Sequence, residues 1–144
     1  MYKRQSEHNE AEREKESAYN SAYFVLTDDR KILYDRIDKR VDLMMQEGLL
    51  EEVNALRLRG LKRESVAMQG LGYKELFGYF EGEYPLEEAV RIIKRDTRHF
   101  AKRQITWFKR ERQVEWFDKQ DFGYDAQVIL DAMLASLREK KIIR

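Results

Sequence analysis

Hydrophobic residues recur along most of the chain at the three- and four-residue spacing of amphipathic helices. The clearest case runs from Leu33 to Met45, where Thr27 or Asp28 is the expected N-cap and Gly48 the expected stop. The same spacing predicts further helices over 49–60, 73–80, 85–112 and 125–140. Pro85, the only proline, is expected at the first position of the fourth helix.

Two short segments follow a different pattern. In "AYFVLT" (22–27), successive positions are apolar, which predicts a strand buried on both faces, as in a parallel sheet. The segment "VEWFD" (114–118) predicts a second strand. Two strands so far apart in sequence do not make a stable sheet by themselves. The pattern therefore predicts a mainly α chain with two short strands that belongs to a larger α/β protein or pairs with another chain.

Composition limits the chemistry of the chain. Its 144 residues include 28 bases and 27 acids, so nucleic-acid binding requires local clustering of charge rather than net charge. Absence of cysteine excludes disulfides and cysteine-ligated metals, and His8 and His99 lie too far apart in sequence to predict a histidine metal site. No apolar run or signal peptide indicates a membrane, so the expected location is the cytoplasm.

Local clustering of positive charge is present in "TRHFAKRQITWFKRER" (97–112). On a helix that starts at Pro85, one arc is apolar and is expected to pack inward: Val90, Ile93, Phe100, Ala101, Trp107 and Phe108. The opposite arc is cationic, with two further bases beside it near His99: Arg91, Lys94, Arg95, Arg98, Lys102 and Lys109, then Arg103 and Arg110. Like charges one turn apart destabilise a helix, so the stripe suggests a surface that faces phosphates. The alternative is a solvated face paired with acids elsewhere.

Other polar positions allow two interpretations each. Thr97 and Gln104 fall on the apolar arc, where they predict either a helix–helix hydrogen bond or, for Gln104, a contact with adenine. The turn at Gly70-Leu71-Gly72 can present N–H groups to phosphate or be an ordinary turn. Arg36 lies on a helix flank, where it either pairs with acids or reaches a phosphate. The chain contains no P-loop pattern, no catalytic triad and no metal-ligand pattern.

Four segments together resemble the tRNA dimethylallyltransferase family, also called tRNA isopentenyltransferases. They are "LYDRIDKRVDLMMQEGLLEEV" (33–53), "GLGYKEL" (70–76), "LEEAVRIIKRDTRHFAKRQITWFKR" (86–110) and "VEWFD" (114–118). Their order and spacing also fit, and the run "AKRQITWF" is hard to reach by chance. The resemblance covers roughly residues 22 to 118.

The resemblance implies a P-loop α/β core with helical additions that grip the tRNA anticodon stem-loop. It implies transfer of a dimethylallyl group from dimethylallyl diphosphate to N6 of adenosine 37, with Mg²⁺ assisting and the target base flipped. Arg36, in the L-x-x-R-I pattern, would contact the diphosphate. The implied tRNA-binding residues are Tyr73, Lys74, Arg91, Lys94, Arg95, Arg98, Lys102, Arg103, Gln104 and Lys109.

One departure from the family pattern is large: the P-loop lysine and threonine and the aspartate taken as general base are missing. The chain is therefore expected to be the C-terminal part of a P-loop α/β transferase fold. Its strands would complete a parallel sheet supplied by an N-terminal P-loop half, which would also bind most of the Mg²⁺. The chain alone would then be inactive, and none of its residues is predicted to be catalytic or a metal ligand.

The expected organisation is a polar lead-in over 1–21, the C-terminal part of the transferase core with the tRNA-contacting helices over 22–118, and a C-terminal helix over 119–144. Two alternatives from other classes remain beside the transferase. One is a non-catalytic helical RNA-binding module, which the sequence cannot separate from the transferase. The other is a fragment of a P-loop kinase with a basic lid helix, which the run "AKRQITWF" disfavours.

Overall fold

The computed structural model describes residues 19–111 and 113–143. Within them the chain forms two compact units: a helical unit of residues 27–111, and a strand unit of residues 19–26 together with 113–143. Most of the predicted lead-in lies outside the described residues. The predicted division at residues 21 and 118 stays a prediction.

The predicted helices are present, with ends close to the expected capping residues. They are α1 (Arg30–Gln46), α2 (Leu49–Leu58), α3 (Tyr73–Phe80), α4 (Leu86–Phe108) and α5 (Ala126–Glu139). Gly48 and Gly60 follow the ends of α1 and α2 with φ of 101° and 90°, which is the left-handed conformation that glycine adopts without strain. Short 3-10 helices at Val66–Gln69 and Lys119–Phe122 were not predicted.

Three predicted helix ends were wrong. The N-cap of α1 is Asp29, whose carboxylate accepts hydrogen bonds from the N–H groups of Lys31 and Ile32 at 2.8 and 3.3 Å. Pro85 is the N-cap of α4 rather than its first residue, because its ψ of 162° is extended. The same helix ends at Phe108, four residues before the predicted end.

The core of the helical unit forms where α1, α2, α3 and α4 meet. Its buried side chains are Val41, Leu49, Val53, Met68, Leu76, Phe77, Ala89 and Ile93. Several of them stand at the helical spacing that the sequence predicted to face inward, which confirms the amphipathic interpretation of α1 and α2. Burial of these side chains fixes α4 against α1 and α3 through its N-terminal half, where Ala89 and Ile93 lie.

A close approach between α3 and the following loop requires a glycine. A β-carbon on Gly78 would lie 2.7 Å from Cζ of Tyr84, which is closer than real contacts allow. The Tyr84 hydroxyl donates a hydrogen bond of 2.9 Å to the carbonyl oxygen of Glu75. The missing side chain at position 78 therefore lets the loop before α4 dock on α3.

In the strand unit, β1 (Tyr23–Thr27) and β2 (Val114–Asp118) pair as two parallel strands. Phe117, 4% exposed, packs edge-on against Phe24 at 5.3 Å and stacks on Phe122 at 5.6 Å. Beside them, Glu115 accepts a hydrogen bond from the Ser136 hydroxyl of α5 at 2.7 Å. These contacts hold the two strands and α5 together.

Burial of β1 on both faces was expected in a parallel sheet that the N-terminal half completes, and in this chain alone the strand is partly exposed. Val25 is buried, but Tyr23 and Leu26 are 41% and 50% exposed. Among the described residues β1 has a single partner strand. The mainly α fold with two short strands is confirmed. None of the described helices has the length and apolar character needed to cross a membrane.

Candidate nucleic-acid interface

Helix α4 carries most of the predicted binding residues, and its sequence explains its position. Glu87 and Glu88 in the first turn favour the helix start, because carboxylates interact well with the positive end of the helix dipole. Ala89 and Ile93 anchor the N-terminal half in the core. From His99 onward, most side chains are exposed. The two halves of the helix therefore present the cationic stripe in different surroundings.

In the N-terminal half, each predicted cation has an acid partner. Lys94 Nζ lies 2.6 Å from Asp42 Oδ1, and Arg98 Nη1 lies 2.7 Å from Asp38 Oδ2, so both bases bind the acidic flank of α1. Two further pairs form within α4: Arg91 with Glu88, and Arg95 with Asp96 at 2.7 Å. Hydrogen bonds donated by Arg91 and Arg95 lower the pKa of the carboxyls of Glu88 and Asp96. In this half the structure agrees with the alternative interpretation, in which the cationic stripe is paired with acids.

In the C-terminal half of α4 and the two residues that follow it, the described cations have no such partners. Within the described part of the chain, no acid lies in ion-pair range of four of them: Lys102, Arg103, Lys109 and Arg110. One side of this half bounds a groove of about 470 Å³, called the α4 groove below. Its described lining is His99, Lys102, Arg103, Thr106, Trp107 and Arg110. The structure thus collects positive charge and an aromatic ring on one face.

Two aromatic residues of the predicted apolar arc do not pack inward. Phe100 and Trp107 were expected to pack inward, but they are 44% and 50% exposed. Their half of α4 extends beyond the core cluster, whose buried members on this helix are Ala89 and Ile93. Helical periodicity predicted the correct face but could not show where along the helix the covering elements stop.

The two polar residues of the same arc behave differently from one another. The Thr97 hydroxyl donates a hydrogen bond of 2.7 Å to the carbonyl oxygen of Ile93, so its partner is its own helix and not a neighbouring one. Gln104 is exposed. An exposed amide can donate and accept at once, which keeps the predicted contact of Gln104 with a base open as a prediction.

The turn before α3 is held by a residue that the sequence reasoning missed. Glu75, 2% exposed, accepts a hydrogen bond of 2.8 Å from the N–H of Gly72, which has a φ of 98°. The other carboxylate oxygen of Glu75 lies 3.4 Å from Nζ of Lys74. Tyr73 donates a hydrogen bond of 2.5 Å to Glu52, which raises the pKa of the tyrosine. A glutamate three residues after a glycine N-cap was the available signal.

Arg36, the predicted diphosphate ligand, lies in the N-terminal half of α1 and has an acid beside it. Its Nη1 lies 2.9 Å from Oδ2 of Asp28, whose side chain is 4% exposed. The Arg36 side chain is 49% exposed, so part of the guanidinium still faces outward. The sequence reasoning assigned Asp28 to a helix cap; its Oδ1 instead accepts the N–H of Asp29. The structure does not bring Arg36 together with the α4 groove residues.

The described residues do not form a magnesium site, because no three carboxylate or imidazole side chains converge among them. Asp38 and Asp42 each form an ion pair with a base of α4.

Comparison with known proteins decides the family. The model of the IPP transferase family matches residues 1–111. This chain belongs to the IPP transferase family. The match begins earlier than residue 22, where the sequence resemblance was expected to start, and the segment 119–144, which was not distinctive by itself, is also covered by relatives.

Relatives of this IPP transferase chain carry tRNA-modifying names. A tRNA dimethylallyltransferase of Lachnoclostridium phytofermentans is 55% identical over 96% of this chain and 44% of its own length. One of Acetivibrio thermocellus is 48% identical over 86% of this chain and 40% of its own length. The chain thus spans less than half the length of these relatives and corresponds to a C-terminal portion of them.

A solved structure of the same family has a similar fold. The full-length tRNA isopentenylpyrophosphate transferase of Bacillus halodurans superimposes with a TM-score of 0.78 at 39% identity, covering 94% of this chain and 45% of that one. The similarity confirms the fold of this IPP transferase portion.

Proposed function

We propose that this chain is the tRNA-contacting portion of an enzyme that transfers a dimethylallyl group from dimethylallyl diphosphate to N6 of adenosine 37 in tRNA. The observation that carries the proposal is the similarity to a named tRNA dimethylallyltransferase, 55% identical over 96% of the chain. The cationic end of α4 supports a polyanionic substrate, because exposed bases without acid partners attract phosphates. A cytoplasmic location is part of the same proposal.

Arg36 is proposed to contact the diphosphate of the prenyl donor. Its side chain is half-exposed, and the buried Asp28 carboxylate 2.9 Å from its Nη1 restricts the orientation of the guanidinium. An arginine held in this way offers its remaining N–H groups in a fixed plane, which suits diphosphate oxygens. Leaving diphosphate accumulates negative charge, and a preorganised cation stabilises it.

The tRNA contacts proposed for the chain divide into two groups. Lys102, Arg103, Gln104 and Lys109 are exposed and, among the described residues, have no acid partner, so they can meet the anticodon stem-loop directly. The remaining proposed residues already interact with acids: Tyr73, Lys74, Arg91, Lys94, Arg95 and Arg98. Each of these must exchange or share a carboxylate to reach a phosphate, and we therefore expect them to contribute less.

Catalytic groups are proposed to lie outside this chain, in an N-terminal P-loop half with most of the Mg²⁺ ligands. The chain contains no P-loop pattern. The alternative function is a helical RNA-binding module without catalysis, which the exposed cations of this chain support equally well.

Prenyl transfer with purified components tests the proposal. The chain is mixed with a separately made N-terminal portion of a full-length relative, dimethylallyl diphosphate, Mg²⁺ and tRNA. We expect transfer only when both protein parts are present, and none to a tRNA with guanosine at position 37. Turnover by the chain alone would contradict the assignment of catalytic groups elsewhere. Binding of the stem-loop without any transfer in the mixture would favour the RNA-binding module.

A further inference from the structure

The α4 groove combines two chemistries that the proposed function has not used together. Lys102, Arg103 and Arg110 contribute positive charge to its lining, and within the described chain no carboxylate neutralises them. Trp107 contributes an aromatic surface that is 50% exposed. The described lining residues lie along one face of α4 or directly after it, so the groove is open to solvent on this side. This face therefore has the charge and the aromatic surface to bind an anionic, aromatic ligand.

The position of Trp107 is supported by its neighbours. Its ring meets Phe108 edge-on, with centroids 5.2 Å apart and planes at 73°. One helical turn further back, the guanidinium carbon of Arg103 lies 5.8 Å from the ring centre of Phe100, which is within cation–π range. An exposed indole braced by a second ring and flanked by cations is the composition of surfaces on which nucleic-acid bases stack.

We propose that the α4 groove binds one unpaired RNA nucleotide, whose base stacks on Trp107 while its flanking phosphates contact Lys102, Arg103 and Arg110. This inference rests on the proposed function in that the ligand is RNA, and it adds which part of the RNA is held. A base in a duplex has both faces covered by its neighbours. Only a nucleotide splayed from a loop can offer a face to an indole.

The charge of the groove favours RNA over a protein segment as its occupant. A protein segment that covered Trp107 would need acids to pair with three cations in the lining. RNA supplies one phosphate per nucleotide. A single-stranded ligand can therefore stack a nucleobase on the indole and pair its phosphates with the three cationic side chains without further partners. Binding of a protein segment in place of RNA is the alternative that the experiment distinguishes.

The chain provides a direct optical test, since Trp107 and Trp116 are its two tryptophans. In the Trp116→Phe variant, Trp107 is the sole indole and reports on the groove alone. We expect a short oligouridine to quench its fluorescence saturably. An RNA duplex with the same number of phosphates should quench it weakly at the same ionic strength, because its bases cannot stack on the ring.

Matched variants separate stacking from charge. Trp107→Ala should weaken oligouridine binding about 5- to 150-fold, which corresponds to the usual range for one base–aromatic stack. The dependence of binding on salt should stay unchanged, because no cation is removed. Trp107→Phe should restore most of the affinity, and Trp116→Phe should match the unchanged chain, since Trp116 is an exposed ring of the strand unit.

Several outcomes would overturn the inference. Equal quenching by single strand and duplex would show that the groove reads charge alone. An unchanged affinity in Trp107→Ala, or no binding of oligouridine, would remove the ring from an RNA site and leave the groove to a protein segment. Failure of prenyl transfer with stacking intact would contradict the proposed function and not this inference. Prenyl transfer that is equally fast in the original chain and in Trp107→Ala would contradict this inference and not the proposed function.

Discussion

At the scale of single residues, the contact between Arg36 and Asp28 gives Arg36 a structural role beside its proposed contact with diphosphate. Arg36 Nη1 lies 2.9 Å from a carboxylate whose side chain is 4% exposed. A buried carboxylate is costly without a cation beside it, so the proposed diphosphate ligand also stabilises the start of α1. Kinetic loss in a variant at this position therefore needs a stability measurement beside it.

Replacement of Arg36 by alanine should lower the free energy of unfolding by about 1–3 kcal/mol, because it removes the ion-pair partner of a buried acid. The half-exposed arginine places the effect toward the lower end. Adding Asp28→Asn should recover part of the loss, since a neutral amide is cheaper to bury. Urea unfolding of the two single variants and the double variant measures the coupling. Additive losses would show that the two side chains do not stabilise one another.

The same contact shows what sequence reasoning could predict at this scale. Helical spacing placed Arg36 on a flank of α1 and gave two interpretations, an acid partner or a phosphate. The structure supplies the acid partner, Asp28, which the sequence assigned to the cap because Asp28 and Asp29 are adjacent and either can cap a helix. Which of two neighbouring aspartates turns toward the backbone depends on tertiary contacts that local sequence does not contain.

At the scale of elements, α4 divides into a paired half and an unpaired half. The division follows from α1, whose acidic flank at Asp38 and Asp42 reaches Arg98 and Lys94 and no further along the helix. The cationic stripe and the acidic flank were both visible in the sequence. Their register was not, because it is set by the packing of two helices far apart in the chain. For the same reason the exposure of Phe100 and Trp107 could not be predicted.

This division predicts different effects of removing charge from the two halves. The variant Lys102→Ala/Lys109→Ala should reduce the salt dependence of stem-loop binding by up to about two units, with little change in unfolding free energy. The variant Lys94→Ala/Arg98→Ala should reduce it less and should also lose stability, because Asp42 and Asp38 lose their ion pairs. Filter binding across a salt series, with urea unfolding beside it, distinguishes the two. A larger slope change in the second variant would contradict the division.

At the scale of the whole molecule, four carboxylates make stability depend on pH. Hydrogen bonds from bases lower the pKa of Glu83, Glu88, Asp96 and Glu115, through Arg63, Arg91, Arg95 and Lys140 respectively. With a pKa lower in the folded state than when unfolded, each adds stability above its ordinary pKa of 4.5, or 3.8 for Asp96. That stability is lost as pH falls through the lowered values.

We therefore expect the melting temperature to be level from pH 7 to about pH 5 and to fall steadily below it. In Glu115→Gln the fall should be shallower, because one of the four titrating groups is gone. Thermal unfolding, monitored by circular dichroism at several pH values, measures the melting temperatures of the original chain and of Glu115→Gln. A melting temperature that rises on acidification would mean that groups with raised carboxyl pKa values control stability instead.

The exposed residues of β1 bear on how the chain joins the rest of an enzyme of this family. Tyr23 and Leu26 are 41% and 50% exposed on a strand that has one partner among the described residues. Apolar side chains on such a strand favour addition of another strand or sheet. If the N-terminal portion of a full-length relative supplies that neighbour, it binds the folded chain and raises its melting temperature.

The change Leu26→Lys tests this directly. Because Leu26 is half-exposed, the variant chain alone should melt within a few degrees of the original. Addition of the N-terminal portion at about 100 times its dissociation constant should stabilise the original chain by about 2.7 kcal/mol. The lysine variant should lose most of that gain, since it would bury a charge against an apolar neighbour. Leu58→Lys, at a side chain 73% exposed at the end of α2, is the matched control and should keep the gain. Equal stabilisation of both variants would place the contact surface away from β1.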